Sequence, residues 1–294
     1  MNRKSSSPHE TGTWTTAELS ASEFGRLSAF IEGHCGIKMP DGKKVMLESR
    51  LRKRLRTLGL KNFSAYCDFV LAPGAGAEAE VVQMIDAVTT NKTDFFREPQ
   101  HFEYLVKTAL PALMQAEGAG IRRDLMVWSA GCSSGEEPYT LSMVLAEVSR
   151  RLSGFRFLIL ATDICSDVLA KARAAIYEEP KIEPVPHDMR KKYLLRSKNA
   201  ANALVRVVPE LRSLVRFRRL NFLDEDFGLR EQMDVIFCRN VFIYFDRETQ
   251  EAILKRFCRH LIPGGYVFLG HSETINGLRV PLTQVAPTVY RTAK

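Results

Sequence analysis

The chain has 294 residues, 45% of them hydrophobic and 26% charged, which suits one or two ordinary globular domains with a full core and excludes a disordered or fibrous class. No apolar run approaches the roughly 20 residues needed to cross a bilayer. The net charge of +8 points to an acidic partner, whether nucleic acid, a membrane surface or an acidic protein, and does not choose among them.

In chain order, residues 1–16 read as a disordered tail. Asn2, Arg3, Lys4, Ser5 and Pro8 are polar and no signal-peptide core follows, so a cytoplasmic protein is expected. Ser20-Ala21-Ser22-Glu23 matches a capping box, and Phe24, Leu27 and Ile31 follow at helical spacing. A second helix is expected over 43–58. Leu47, Leu51, Leu55 and Leu58 form its apolar stripe, and Arg50, Arg52, Lys53, Arg54 and Arg56 cover the rest. Helices over 64–71 and 78–88, separated by Pro73-Gly74, complete a helical domain over 17–90. A linker and helix follow over 91–124, with Pro99 in the helix's first turn ahead of Phe102, Leu105 and Val106.

From Leu125 the pattern alternates: strand 125–129, helix 138–152, strand 157–162, helix 168–176, strand 234–238, helix 249–261 and strand 266–269. This order predicts an α/β domain over 125–294, with a doubly wound, mostly parallel sheet and helices on both faces. Pro180, Pro184 and Pro186, a basic helix near 189–196, and β-rich stretches at 204–208 and 214–218 interrupt the rhythm. They read as a small inserted β-subdomain over about 178–215. The six cysteines form no C-x-x-C pair; reduced, mostly buried thiols are expected, and no metal site.

Four strand ends carry the site. Trp128-Ser129-Ala130-Gly131-Cys132-Ser133-Ser134-Gly135-Glu136-Glu137-Pro138-Tyr139 reads as strand, small-residue turn and helix start, with glycines that let backbone approach a ligand. Glu136 and Glu137 would repel a pyrophosphate but tolerate or attract an ammonium. That disfavours NAD or a nucleoside triphosphate and suits S-adenosylmethionine. Asp163 ends the next strand, where an acid can accept hydrogen bonds from both ribose hydroxyls; a cap for the following helix is the alternative. Asn221-Phe222 resembles a third strand end able to hold adenine. Phe237-Cys238-Arg239-Asn240-Val241-Phe242-Ile243-Tyr244-Phe245-Asp246 reads as a later strand entering a polar-aromatic loop.

With these positions in place, the chain resembles the bacterial chemotaxis receptor methyltransferases over nearly its whole length. The motifs that carry the resemblance are Thr89-Thr90-Asn91 with Phe95-Phe96-Arg97-Glu98, Gly135-Glu136-Glu137-Pro138-Tyr139, Ala161-Thr162-Asp163-Ile164, Cys238-Arg239-Asn240-Val241 with Tyr244-Phe245-Asp246, and Gly270-His271-Ser272-Glu273. The resemblance implies transfer of a methyl group from S-adenosylmethionine to glutamates of chemoreceptors. It further implies cofactor contacts at Asn91, Thr93, Arg97, Glu137, Asp163, Asn221, Phe222, Arg239 and Asn240, with Arg97 and Tyr244 nearest the reacting centre. The loop from Arg196 to Ala203 lacks the glycines of family members that dock a receptor's C-terminal peptide there.

A glutamate carboxylate is already ionised near pH 7, so its methylation needs alignment and desolvation rather than a general base. No Ser-His-Asp or Cys-His constellation is evident. His271 reads as a histidine that orders a loop at a strand end, and Cys238 as a buried strand residue. The expected partner is the acidic helical cytoplasmic region of membrane chemoreceptors, met by Arg50, Lys53, Arg54 and Arg56, with no nucleic acid, no membrane insertion and a monomeric enzyme. Two other readings stand beside this one. A nucleic-acid methyltransferase would also explain the charge, but Arg239-Asn240-Val241-Phe242-Ile243-Tyr244 is not the Asn/Asp-Pro-Pro-aromatic loop that amino methylation of bases generally uses. A cofactor-binding docking module without turnover is the second.

Overall fold

The computed structural model describes residues 18–199 and 203–293. The expected tail and the middle of the 196–203 loop lie outside the described residues. The chain divides into two compact units, residues 18–31 with Met39–Val88, and Glu32–Lys38 with residues 89–293.

The first unit is helical. Helix α1 (Ala21–Cys35) starts with the expected capping box: Ser20 N donates to Glu23 Oε2 at 2.8 Å, and Glu23 N donates to Ser20 Oγ at 3.2 Å. Its last turn is grouped with the second unit. Helix α2 (Lys44–Leu58) buries Leu47, Leu51 and Leu55 and stops at Gly59, whose φ of 66° suits a left-handed cap. Asn62 caps α3 (Phe63–Val70), accepting from Ala65 N at 2.9 Å. Helix α4 (Ala75–Val88) starts earlier than its apolar spacing suggests, directly after Gly74. Arg54 reaches from α2 to the buried Glu80 of α4 with two bonds, 3.0 and 2.6 Å, and Tyr66 Oη donates to the same carboxylate at 2.9 Å. Cutting one partner from such a desolvated pair leaves a buried charge unpaired.

In the second unit, α5 (Gln100–Tyr104) passes through a π-helical turn (Leu105–Ala109) into α6 (Leu110–Glu117). Phe102, Leu105, Ala109, Leu110 and Leu113 bury themselves in the same core as the sheet, so this segment is built into the unit rather than strung beside it. The alternating part comprises β1 (Leu125–Ala130), α7 (Glu136–Arg151), β2 (Phe157–Asp163) and α8 (Ser166–Ala174). The insert follows: β3 (Ile176–Glu178), α9 (His187–Tyr193), β4 (Leu194–Arg196), β5 (Leu204–Val207) and α10 (Pro209–Arg212). The chain then returns through β6 (Val215–Arg219), β7 (Met233–Cys238), α11 (Arg247–His260), β8 (Leu261–Leu269), β9 (Leu282–Ala286) and β10 (Val289–Thr292).

Seven strands form one sheet in the order β6-β2-β1-β7-β8-β10-β9. The strands from β6 to β8 are parallel, and β10 and β9 add antiparallel. The central strands are buried along their length, as a sheet covered on both faces requires. At their amino ends Arg123 grips the fully buried Asp234 with two bonds, 2.8 and 2.6 Å, and Met126 N donates to the same carboxylate. Strands β3, β5 and β4 form a separate antiparallel sheet.

Two expectations need correction, and two strands were not expected. The 214–218 stretch, read as part of the insert, is the edge strand of the main sheet, with Val215 in register with Ile159 of β2. Its alternate residues Arg216 and Arg218 face solvent, which makes a one-sided edge strand read like a surface hairpin. The helix expected to reach 176 stops at Ala174, because Ala175 takes a left-handed φ of 53° and Ile176 begins β3. Strands β9 and β10 went unread, being short and half-exposed.

Candidate functional site

The chain leaves β1 for β2 and β6 on one side and returns to β7 and β8 on the other, so the strand order reverses at β1 and β7. In such sheets the ligand crevice lies beyond the carboxyl ends at that point. Gly131, Asp163, Asn221, Arg239 and Gly270 lie at or just beyond the carboxyl ends of β1, β2, β6, β7 and β8. No helix among the described residues is long and apolar enough to cross a membrane.

The turn after β1 is held from β2: Gly131 N and Cys132 N both donate to Thr162 O at 2.8 Å. Gly131 has a φ of 82°, and a Cβ there would meet Val241 Cγ2 at 2.6 Å. A Cβ at Gly135, φ 98°, would meet Tyr177 Oη at 2.9 Å and Ala172 Cβ at 3.0 Å. The space these glycines spare is therefore taken by the β7 loop, α8 and β3. Both glycines are thus required by the close packing of protein around this turn.

Asp163 is anchored at the rim of β2. Ser133 N donates to its Oδ2 at 2.8 Å and Cys165 N to its Oδ1 at 2.9 Å. It thus braces the turn after β1 as well as the entry to α8. At the start of α7, Glu136 is 2% exposed, accepts from Ser134 Oγ at 2.7 Å, and has its carboxyl pushed up by burial. Glu137 accepts from Ser129 Oγ at 2.7 Å and from Arg239 Nε at 2.8 Å.

Arg239 is itself buried. Its Nη1 donates to Arg97 O at 2.7 Å and lies 3.2 Å from His101 Nδ1, and its guanidinium sits 5.3 Å from the Phe102 ring centre. Thr288 Oγ1 donates to Pro287 O, so it accepts from His101 Nε2 at 2.8 Å and leaves Nδ1 as the acceptor toward Arg239. Burial and then the Arg239 charge lower the His101 pKa to about 4, which keeps the imidazole neutral. Glu98, His101 and His271 bring three ligand-type atoms together, but the Arg239 N–H points into the His101 lone pair and fills that place with a guanidinium.

The motif segment 91–98 folds tightly over this network. Phe96 and Glu98, on either side of Arg97, both take left-handed φ values, 54° and 56°, a conformation that non-glycine residues adopt only where surrounding structure holds them. Phe96 N donates to Thr140 Oγ1 at 3.1 Å, Asn91 O accepts from Ser133 Oγ at 3.2 Å, and Thr93 O accepts from Lys181 Nζ at 3.3 Å. Arg97 Nη1 donates to Lys92 O at 3.2 Å. Tyr244 Oη donates to Thr90 O at 3.4 Å, so the β7 loop and the 91–98 segment meet. Asn240, φ 60°, directs its Nδ2 at Glu98 Oε1, 3.4 Å away.

The structure therefore brings Asn91, Thr93, Arg97, Glu137, Asp163, Arg239, Asn240 and Tyr244 into one connected cluster of loops. Asn221 is tied elsewhere: its Nδ2 donates to His34 O at 2.7 Å. Phe222 turns its ring into the core, edge-on to Phe257 at 5.4 Å. His271 orders the β8 loop, its backbone N donating to Glu98 Oε1 at 3.3 Å, and Cys238 is a fully buried strand thiol pushed well up by burial. The basic helix divides. Arg54 is spent on Glu80, and Arg50 donates to Val88 O at 2.6 Å, while Lys53 and Arg56 are exposed.

Sequence reasoning gave no role to Ser129, His101, Glu273 or the strap Glu32–Lys38. Within the second unit that strap supplies His34 O to Asn221, and Lys38 N donates to Tyr244 O at 3.1 Å. The His101 and Glu273 positions lie inside or beside the quoted motifs, and that proximity was the available signal.

The chain matches the family model for the CheR methyltransferase SAM-binding domain over residues 91–291 and that for the CheR all-alpha domain over 22–89. It is 38% identical over 274 residues to the chemotaxis protein methyltransferase of Borreliella burgdorferi, covering 93% of this chain and 95% of that protein. To the protein of the same description from Salmonella typhimurium it is 39% identical over 277 residues, covering 94% and 92%. Among solved structures, PKMT2 from Rickettsia typhi is similar at 17% identity with a TM-score of 0.36, covering 61% of this chain and 26% of that one. The family models and the two chemotaxis relatives show an S-adenosylmethionine-dependent methyltransferase of chemotaxis, and the chain belongs to the CheR methyltransferase family.

Proposed function

We propose that this enzyme esterifies glutamate side chains of chemoreceptors, acting as a monomer in the cytoplasm on the receptors' acidic helical region. The observation that carries the reading is the chemistry of the crevice. Its residues are positioning donors and fixed carboxylates, and its two buried thiols and the His101 imidazole are poorly placed to serve as nucleophile or base. Cys132 and Cys238 are buried with their thiols pushed well up, and the His101 imidazole has one nitrogen bonded to Thr288 and the other to Arg239. An acceptor that needs no deprotonation fits such a site, and a carboxylate is that acceptor.

The donor set also fits the cofactor. Asp163 is an oriented acid at the end of β2, suited to paired ribose hydroxyls. Glu136 and Glu137 bring carboxyl oxygens to the start of α7 that suit an ammonium, the charge of Glu137 being shared with Arg239. When bound, S-adenosylmethionine supplies a methyl group on a positively charged sulfur. Arg97, fixed between two left-handed residues, neutralises a carboxylate at the mouth of the site, and Tyr244 offers a hydroxyl from the facing loop. Lys53 and Arg56 are the exposed cations left on α2 to meet acidic receptor helices. Incubation with radiolabelled S-adenosylmethionine and receptor-containing membranes tests the reading: base-labile label in the receptor band is expected. Label in nucleic acid, or none, rejects it.

A further inference from the structure

The loop that carries Asn240 and Tyr244 has few regular hydrogen bonds of its own, yet its backbone is pinned at Asn240 and Phe242 by one side chain. Glu273, 6% exposed, points its carboxylate under the loop. Its Oε2 accepts from Gly270 N at 2.6 Å and from Asn240 N at 2.9 Å, and its Oε1 accepts from Phe242 N at 2.7 Å. Three amides from two strand ends thus converge on one side chain. Charge-assisted bonds of this kind are short and about twice as strong as neutral ones. Burial pushes the carboxyl up, and the amide hydrogen bonds oppose that rise. Gly270 makes the closure possible: a Cβ there would meet Asn240 Nδ2 at 2.5 Å, Asn240 N at 2.8 Å and Glu273 Oε2 at 2.9 Å.

We infer that Glu273 is a positioning residue for methyl transfer, setting the height and twist of the Asn240–Tyr244 loop through these three amides. The hydrogen bond from Asn240 N holds that residue at its φ of 60°, and the one from Phe242 N fixes the short 3-10 turn (Phe242–Tyr244) from which Tyr244 reaches Thr90 O. A glutamine is nearly the same size, but its NH2 group faces amide N–H groups and cannot accept from them. In Glu273→Gln at least one of the three bonds is lost and a donor is set against a donor. The loop then relaxes by a few tenths of an ångström, enough to spoil alignment at a site where alignment is the main contribution to rate.

This rests on the proposed glutamate methylation, and the two can fail separately. If wild-type enzyme puts no ester on receptors, that reading fails, while amide exchange still tests Glu273. In the wild-type protein the Gly270, Asn240 and Phe242 amides should exchange at least 100-fold more slowly than exposed loop amides; unprotected amides would overturn the inference without any variant. In Glu273→Gln, exchange at Asn240 and Phe242 should rise ten-fold or more and kcat should fall ten-fold or more. The deciding measurement is a double-mutant cycle with Tyr244→Phe. Because Glu273 acts through the loop that carries Tyr244, its substitution should cost less than three-fold in kcat once the Tyr244 hydroxyl is gone. Full ten-fold losses that multiply, or kcat within two-fold of wild type in the single variant, would show that Glu273 only supports the fold.

Discussion

Replacing Arg239 with methionine is the most informative single perturbation of this site. Methionine is shorter than arginine but leaves an unbranched apolar stem beside Phe102 and Phe237, while removing the charge and every donor. Four interactions go: the 2.8 Å bond to Glu137, the 2.7 Å bond to Arg97 O, the 3.2 Å contact with His101 and the 3.9 Å ion pair with Glu98. Most of the cost comes from Glu137, which stays buried with Ser129 as its remaining hydrogen-bond donor. Breaking one side of a buried pair costs about 3–5 kcal/mol. At about 2–4 °C per kcal/mol for a domain of this size, Tm should fall by about 6–20 °C. Calorimetric unfolding of Arg239→Met, Glu137→Gln and the double variant measures it. The double variant removes the orphaned charge and should be more stable than Arg239→Met alone. A Tm change of under about 2 °C in Arg239→Met, or a double variant no more stable than the single one, would refute the buried-pair reasoning.

Three further outcomes follow from the same geometry. Asp163→Ala should weaken binding of S-adenosylmethionine or its demethylated product about ten-fold or more in calorimetry, since bonds to an ionised acceptor are worth about 1.5–3 kcal/mol each; unchanged affinity would leave Asp163 as a brace for Ser133 and Cys165 alone. His101 makes stability pH-dependent: its folded pKa, about 4, lies below the ordinary histidine value of about 6.5, so the unfolded chain binds more protons between those values. Its share of stability is complete above that window and is lost as pH falls through it, so the wild-type minus His101→Phe difference in unfolding free energy should shrink from pH 7 to pH 4, and a flat difference would contradict the assignment. Lys53→Glu with Arg56→Glu should lower receptor methylation and flatten its salt dependence, with cofactor affinity unchanged, because exposed charges act on encounter and are screened over about 8 Å at physiological salt; normal methylation at low salt would make this face of α2 only a solvated surface.

What the sequence disclosed was mostly local. The Ser20-to-Glu23 capping box, the leucine stripe of α2 and the strand–turn–helix at β1 each depend on residues within a few positions of one another, and each formed as read. The features it hid depend on where distant segments meet. Strand β6 reveals itself only through its register with β2, since its arginines alternate with inward residues as any exposed hairpin's would. Gly131 and Gly135 carried the right signal, a need for space, but the neighbour that fills the space comes from the β7 loop, α8 and β3. Arg239 reads as a polar loop residue until Phe102, Phe237 and Glu137 are seen around it. Glu273 reads as the tail of a motif until three amides, two of them about thirty residues away, converge on it.

The central claim is that this crevice moves a methyl group onto a carboxylate. Its most direct measurement is the chemical nature of the product bond, read by treating labelled receptor with mild base after incubation with methyl-labelled S-adenosylmethionine. A glutamate methyl ester releases its label as volatile methanol, and the account predicts that release, together with its loss when the receptor glutamates are changed to alanine. Label that stays on the protein through base, as on nitrogen, or that appears on nucleic acid, would contradict it.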